Sequence, residues 1–210
     1  NEFDVETLIG ISTDKTAPPV LNIYGLSKSL MERIFCAANK KNSTKVACVR
    51  FGNIAWSTGS VFNIWREMVK KNNIVQSTGP HMRRFFFNIE EACNLVITAI
   101  DNIKIINGKV LVQEMKSAQI KDILEIWCEK HNCKWKKIKS RIGDKIDEYL
   151  IGEDELKHTK KINIKKKRHY LIDFNKNNYN EIKYAISSKN SEKLTKKEIL
   201  KLIKYEKSEN

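Results

Sequence analysis

Tyr24 and Lys28 stand four residues apart in a stretch with helical patterning. That spacing puts a phenol and an ammonium on one helix face, one turn from each other. A free tyrosine ionises near pKa ~10 and is a poor base at neutral pH. A nearby ammonium favours the phenolate and lowers that value. Tyr-x-x-x-Lys is therefore a way of making a phenol take a proton from an alcohol. Just upstream, an apolar run from Val5 to Ile11 ends in the polar cluster Ser12-Thr13-Asp14-Lys15, which adds an acid and a base.

Positioning these groups needs a strand, a turn and a helix. A short apolar run bounded by turn residues suits a buried parallel strand, and ligands in open α/β sheets gather at the carboxyl ends of such strands. Pro18 and Pro19 then hold the chain extended, and a helix opens near Tyr24 and runs to about residue 40. Taken alone, Tyr-x-x-x-Lys is a weak pattern, and Asp14–Lys15 reads as a strand-end pair facing water.

The remaining elements continue an α/β alternation. Residues 45–51 form the next parallel strand and end in Gly52-Asn53. Ser57-Thr58-Gly59-Ser60 precedes a helix over 61–71, with Ser60 as N-cap at an anion-binding helix terminus. Trp65 in that helix reads as core. A strand over 74–78 leads to Met82-Arg83-Arg84-Phe85, where adjacent arginines point opposite ways; taken without context, Arg84 reads as an ion-pair partner of Glu90 or Glu91. Asn88 caps a helix to Asp101. A strand over 109–112, a helix over 117–131 capped by Ser117, and a strand over 135–139 follow. Thr195 and Glu198 form a capping box for a last helix over 195–207, while residues 175–190 are expected to be mobile.

The 210 residues allow one or two domains with a sizeable core. Hydrophobic residues are 41 % and charged residues 30 %, a globular composition, and no run approaches a membrane span or a signal peptide. Five cysteines without metal spacing read as reduced, mostly buried thiols of a cytoplasmic protein. The net charge of +14 sits largely in late lysines, with few arginines and no aromatic-interleaved basic motif, so nucleic acid is not expected as a partner.

Ser-Thr-Asp-Lys, proline and Tyr-Gly-x-Ser-Lys together resemble the extended short-chain dehydrogenase/reductases that modify nucleotide sugars. Within these the chain is similar to the UDP-N-acetylglucosamine 4,6-dehydratase group of polysaccharide biosynthesis proteins. Val49-Arg50-Phe51-Gly52-Asn53, Ser57-Thr58-Gly59-Ser60-Val61, Met82-Arg83-Arg84-Phe85 and Arg141-Ile142-Gly143-Asp144-Lys145 follow in the family's order, from residue 5 to residue 155. Thr58 stands where relatives usually carry arginine, Arg83 where they carry a small polar residue, and Ile142 and Asp144 where they carry Pro and Glu. The Asp14-to-Tyr24 separation is one residue longer than expected of close relatives.

The resemblance implies the C-terminal part of a Rossmann-like doubly wound parallel sheet with a smaller α/β substrate-binding part. Residues 1–72 would belong to the NADP- or NAD-binding domain, 73–160 mainly to the substrate part, and 161–210 to a basic, partly helical tail. The expected activity is an NADP-dependent 4,6-dehydratase of a UDP-linked amino sugar for surface polysaccharide or lipopolysaccharide, in a homo-oligomer. Asp14, Lys15, Tyr24, Lys28 and Thr13 would carry the chemistry. Ser12, Tyr24, Lys28, Phe51 and Asn53 would meet the cofactor, and Asn53, Ser60, Arg84, Arg141 and Glu148 the nucleotide sugar; no metal is implied. The glycine-rich phosphate-binding turn is absent from the sequence, so the chain is expected to be the later part of a longer protein. A 4- or 5-epimerase and a non-catalytic nucleotide-sugar-binding fragment are the alternatives.

Overall fold

The computed structural model describes residues 3–38, 43–140, 143–179 and 181–204. The elements run β1 (Thr7–Thr13), α1 (Ile23–Ala38), β2 (Lys45–Phe51), β3 (Asn53–Ile54), α2 (Val61–Asn72), β4 (Ile74–Ser77) and β5 (Arg83–Phe87). They continue with α3 (Ile89–Asp101), α4 (Ile103–Ile106), β6 (Val110–Gln113), β7 (Ser117–Gln119), α5 (Ile120–His131), β8 (Lys134–Lys137) and β9 (Tyr149–Ile151). The last are β10 (Thr159–Ile164), β11 (Lys167–Ile172), β12 (Ile186–Ser187) and α6 (Lys196–Lys204). The α/β class expected from the sequence is what the structure has. It divides into two compact units: residues 1–52, 92–114 and 149–187, and residues 53–91, 115–148 and 188–210.

The first unit is built on a five-stranded sheet in the order β1-β2-β6-β11-β10. β1, β2 and β6 are parallel, and the β10–β11 hairpin is added antiparallel. β2 and β6 are the central strands, so Val46 to Val49 and Val110 to Val112 are buried on both faces, as a parallel strand between neighbours requires. Among the described residues β1 pairs only with β2, and its Leu8 and Ile11 are exposed, so the apolar run is not the buried strand expected from the sequence.

The second unit holds a three-stranded sheet in the order β3-β5-β7 and the parallel pair β4–β8. Its core is aromatic: Trp56, Phe62, Trp65, Phe86 and Trp127 interlock, with the Phe62 and Trp127 rings stacked at 5.7 Å. Each such ring pair adds about 0.5–1.5 kcal/mol beyond burial. α6 belongs to this core through Ile199, Leu202 and Ile203, and the Trp56 indole N–H donates to Leu202 O at 2.8 Å.

Most caps are as read from sequence. Asn88 and Glu91 close α3 reciprocally, as do Thr195 and Glu198 for α6. Two expectations about this part of the chain fail as well. Ser117 does not cap α5: it is fully buried in β7, opposite Phe85 of β5, and the helix begins at Ile120. The 175–190 stretch is not simply mobile either, since Ile186 and Ser187 pair with β9 and Ser188 is fully buried.

Candidate active site

β1 delivers the polar cluster. Its last residues, Ser12 and Thr13, are buried opposite Arg50 and Phe51 of β2, which sets Phe51 beside Thr13. Asp14 to Thr16 then form one 3-10 turn capped by the Thr13 hydroxyl. The Asp14 carboxyl has no solvent exposure. Its Oδ1 accepts from Thr13 Oγ1 and from Lys15 Nζ, each at 3.0 Å. Its Oδ2 is buried and accepts no hydrogen bond among the described residues. An acid at a strand end is thus held by one oxygen, with the other oxygen uncommitted.

α1 brings the phenol and the second amine. Asn22 Oδ1 accepts from Gly25 N at 2.7 Å and closes the first helical turn. Gly25 is required by contact: a Cβ there would lie 2.4 Å from Lys15 O and 2.9 Å from Val20 Cγ1. The missing side chain lets the helix settle directly on the Asp14–Lys15 turn, with Tyr24 adjacent to the point of contact. Tyr24 is 54 % exposed. Lys28, one turn on, donates from Nζ to Ile11 O at 2.9 Å. That bond ties the ammonium to the strand carrying Ser12 and Thr13.

Ser12 is committed inward. Its hydroxyl donates to Glu32 Oε1 at 2.5 Å, and Glu32 is fully buried among polar groups. Arg50 lies beside it with no exposure and all five guanidinium N–H groups bonded. Nε and Nη2 donate to Glu32 at 3.0 and 2.6 Å; Nη1 and Nη2 donate to Glu155, each at 2.8 Å; Nη1 also donates to Leu150 O at 2.9 Å. Burial works against the Arg50 charge, but the Glu155 and Glu32 carboxylates outweigh it and hold the guanidinium well above its ordinary value. Sequence reasoning gave this network no role. The available signal was a lone charge inside the apolar strand 46–51.

The second unit carries the residues expected at the nucleotide sugar. Asn53 Nδ2 donates to Phe85 O at 2.9 Å, and Ser60 caps α2 by accepting from Phe62 N. Arg84 lies on backbone carbonyls, donating to Arg83 O at 2.8 Å and Lys145 O at 2.9 Å, with Glu148 Oε1 3.8 Å from its Nε. Its ion-pair partner is therefore Glu148, not Glu90 or Glu91. Arg83 points elsewhere, as two neighbouring strand residues must, and grips Asp147 with two bonds at 2.5 and 2.7 Å. The Arg83 guanidinium holds the Asp147 carboxyl below its usual range. Arg141 lies outside the described residues.

The family profile described as "Polysaccharide biosynthesis protein" matches residues 1–202. The chain belongs to this family. The resemblance to the polysaccharide-biosynthesis group of the extended short-chain dehydrogenase/reductases is thereby borne out. An uncharacterized membrane protein of Methanocaldococcus jannaschii is 36 % identical over 214 residues, covering 96 % of this chain and 62 % of its own length. A UDP-glucose 4-epimerase of Rickettsia canadensis is 30 % identical over 159 residues, covering 72 % of this chain and 45 % of its own. Among solved structures, Pen from Bacillus thuringiensis superposes with a TM-score of 0.83 at 25 % identity, covering 95 % of this chain and 62 % of that one. The chain thus spans about half to under two thirds of the length of these relatives. Among the described residues no helix is long and apolar enough to cross a membrane.

Proposed function

We propose that this chain carries the acid–base machinery and part of the sugar-nucleotide site of a UDP-amino-sugar 4,6-dehydratase working in polysaccharide biosynthesis. The observation that carries the reading is the packing of α1 on the strand-end turn. It puts the turn carrying the buried Asp14 carboxyl and the partly buried Lys15 ammonium against the helix carrying the exposed Tyr24 and the anchored Lys28. Family membership supports the polysaccharide context, and the epimerase relative supports a UDP-linked sugar.

A nicotinamide cofactor, NADP or NAD, would accept a hydride from C4 of the hexose and return it to C6. The residues present fit its nicotinamide and ribose end: Tyr24 is exposed, and Lys28 stands one helical turn along the same face. Nothing in the sequence supplies a glycine-rich pyrophosphate grip.

In this reading Tyr24 takes the proton of the 4-hydroxyl, with Lys28 favouring the phenolate and Thr13 bonding the 4-oxygen. Transfer of the proton shared by Lys15 and Asp14, 3.0 Å apart, leaves a neutral amine and a carboxylic acid. Oxidation at C4 acidifies the C5 proton, which the neutral Lys15 amine removes, while the protonated Asp14 gives its proton to the departing 6-hydroxyl, which leaves as water. Lys15, now an ammonium, returns a proton to C5 when C6 is reduced. Arg84, Glu148, Asn53, Ser60 and Arg141 hold the nucleotide sugar, and Phe51 and Ser12 border the cofactor. In this scheme the cofactor part is the unit of residues 1–52, 92–114 and 149–187, and the substrate part the unit of residues 53–91, 115–148 and 188–210, in place of the boundaries at 72 and 160 and the separate basic tail over 161–210 expected from the sequence.

A UDP-sugar 4-epimerase is the second reading, favoured by the Rickettsia relative. A plain 4-epimerase needs no separate acid and base for C5 and C6, so Asp14–Lys15 favours dehydration. The test is made in the native protein. Tyr24→Phe is expected to abolish turnover while UDP-sugar still binds, and Asp14→Asn or Lys15→Ala to block loss of water. Full turnover by Tyr24→Phe, or full dehydration by both other variants, would refute the assignment.

A further inference from the structure

We infer that Glu32 is a positioning residue, one that holds the Thr13–Thr16 turn at a fixed distance from Tyr24. The inference rests on the acid–base roles proposed above for that turn and for Tyr24. Tyr24, Lys28 and Glu32 are successive members of one helical row, four residues apart. Each point of this row meets the strand-end segment differently. The helix backbone beside Tyr24 abuts Lys15 O through Gly25, and Lys28 Nζ bonds Ile11 O at 2.9 Å. Glu32 Oε1 accepts from Ser12 Oγ at 2.5 Å and lies 3.2 Å from Thr16 Oγ1, so it grasps both flanks of the turn. Thr16 Oγ1 also lies 2.7 Å from Thr13 O, which braces the turn from within.

The buried ion cluster gives this grip its rigidity. One guanidinium faces two carboxylates, and all of its N–H groups are taken up. Arg50 holds the Glu32 carboxylate by two bonds, and unpairing a buried charge is strongly disfavoured. The single proton of Ser12 is spent on Glu32, so towards a ligand the Ser12 oxygen can only accept a hydrogen bond. Glu155 is the internal control. It contributes the same charge to the same guanidinium but makes no bond to Ser12 or Thr16; its carboxylate otherwise accepts from Gly152 N.

The two glutamates separate positioning from mere stability. With one carboxylate removed, Arg50 keeps one counter-charge, so neither Glu32→Met nor Glu155→Met strands a lone buried ion. Amide hydrogen exchange and steady-state kinetics of the native protein, wild type and both variants, decide the matter. Glu32→Met, which has no carboxylate or amide oxygen to accept from Ser12 or Thr16, is expected to speed exchange at residues 13–17 by about tenfold relative to the rest of the chain, the size of one lost bond to a charged group. It should also lower kcat by roughly 10–100-fold with little change in KM, as misplacement by about 1 Å would. Glu155→Met should lower the melting temperature comparably while leaving exchange at 13–17 and kcat as in the wild type. Equal exchange and equal kcat in the two variants would overturn the inference. If the wild type turns over no nucleotide sugar, the functional reading fails, and the exchange contrast still decides whether Glu32 holds the turn.

Discussion

Replacing Gly25 with alanine sets two opposing effects against each other. In a helix interior alanine is favoured over glycine by about 1 kcal/mol. The added Cβ, however, would lie 2.4 Å from the Lys15 carbonyl oxygen and 2.9 Å from Val20 Cγ1. Both are inside the contact limit, and the nearer atom is backbone, which cannot rotate away. Overpacking of this kind costs about 1–3 kcal/mol, so the net change is a loss of roughly 0–2 kcal/mol. For a chain of this size that lowers the melting temperature by at most about 8 °C, at 2–4 °C per kcal/mol. The functional effect should be larger than the stability effect. Relieving the overlap moves α1 away from the turn by a sizeable fraction of an ångström to about 1 Å, and displacement on that scale costs up to about 100-fold in turnover. Differential scanning calorimetry and initial rates on Gly25→Ala are the assays. A variant more stable by about 1 kcal/mol with undiminished turnover would show that propensity alone governs this position, and would refute the contact argument.

Two further predictions concern the second unit. Phe62→Ala removes a fully buried ring that contacts Trp56, Trp65, Phe86 and Trp127, and urea unfolding should register a loss of about 3–5 kcal/mol; a loss under about 1 kcal/mol would mean the ring cluster is not the core. Asp147, held below its ordinary value of 3.8 by Arg83, contributes stability that is present above that value and lost as pH falls through its folded pKa. The gap in urea midpoint between wild type and Asp147→Asn should therefore be full at pH ~6 and close towards pH ~2, and a gap independent of pH would contradict the Arg83 attribution.

Period and punctuation in the sequence located most elements because those elements are locally encoded. The row Leu95, Ala99 and Ala92 of α3 and the two reciprocal caps at Asn88 and Thr195 are examples. Ser117 misled because its signal is local and its fate is not. It precedes an amphipathic stretch like a cap, yet pairing of β7 with β5 takes its backbone and burial takes its side chain. Tyr24, Lys28 and the Ser12–Lys15 cluster were legible as a constellation because helix spacing and strand ends place them by rule. The support beneath them was not. Glu32 and Glu155 lie 18 and 105 residues from Arg50, separations that no periodicity reports. Gly25 could be noticed in Tyr-Gly, but the need for it arises only when the Lys15 carbonyl arrives against the helix.

The central claim is a hydride that leaves C4 and comes back at C6 while water is lost between. It is tested most directly by giving the native protein UDP-N-acetylglucosamine deuterated at C4, with NADP or NAD, and locating the label by mass spectrometry and NMR. The account predicts a 4-keto product lighter by one water with the deuterium in its new 6-methyl group. A 4-epimer of unchanged composition with the label still at C4 would contradict it.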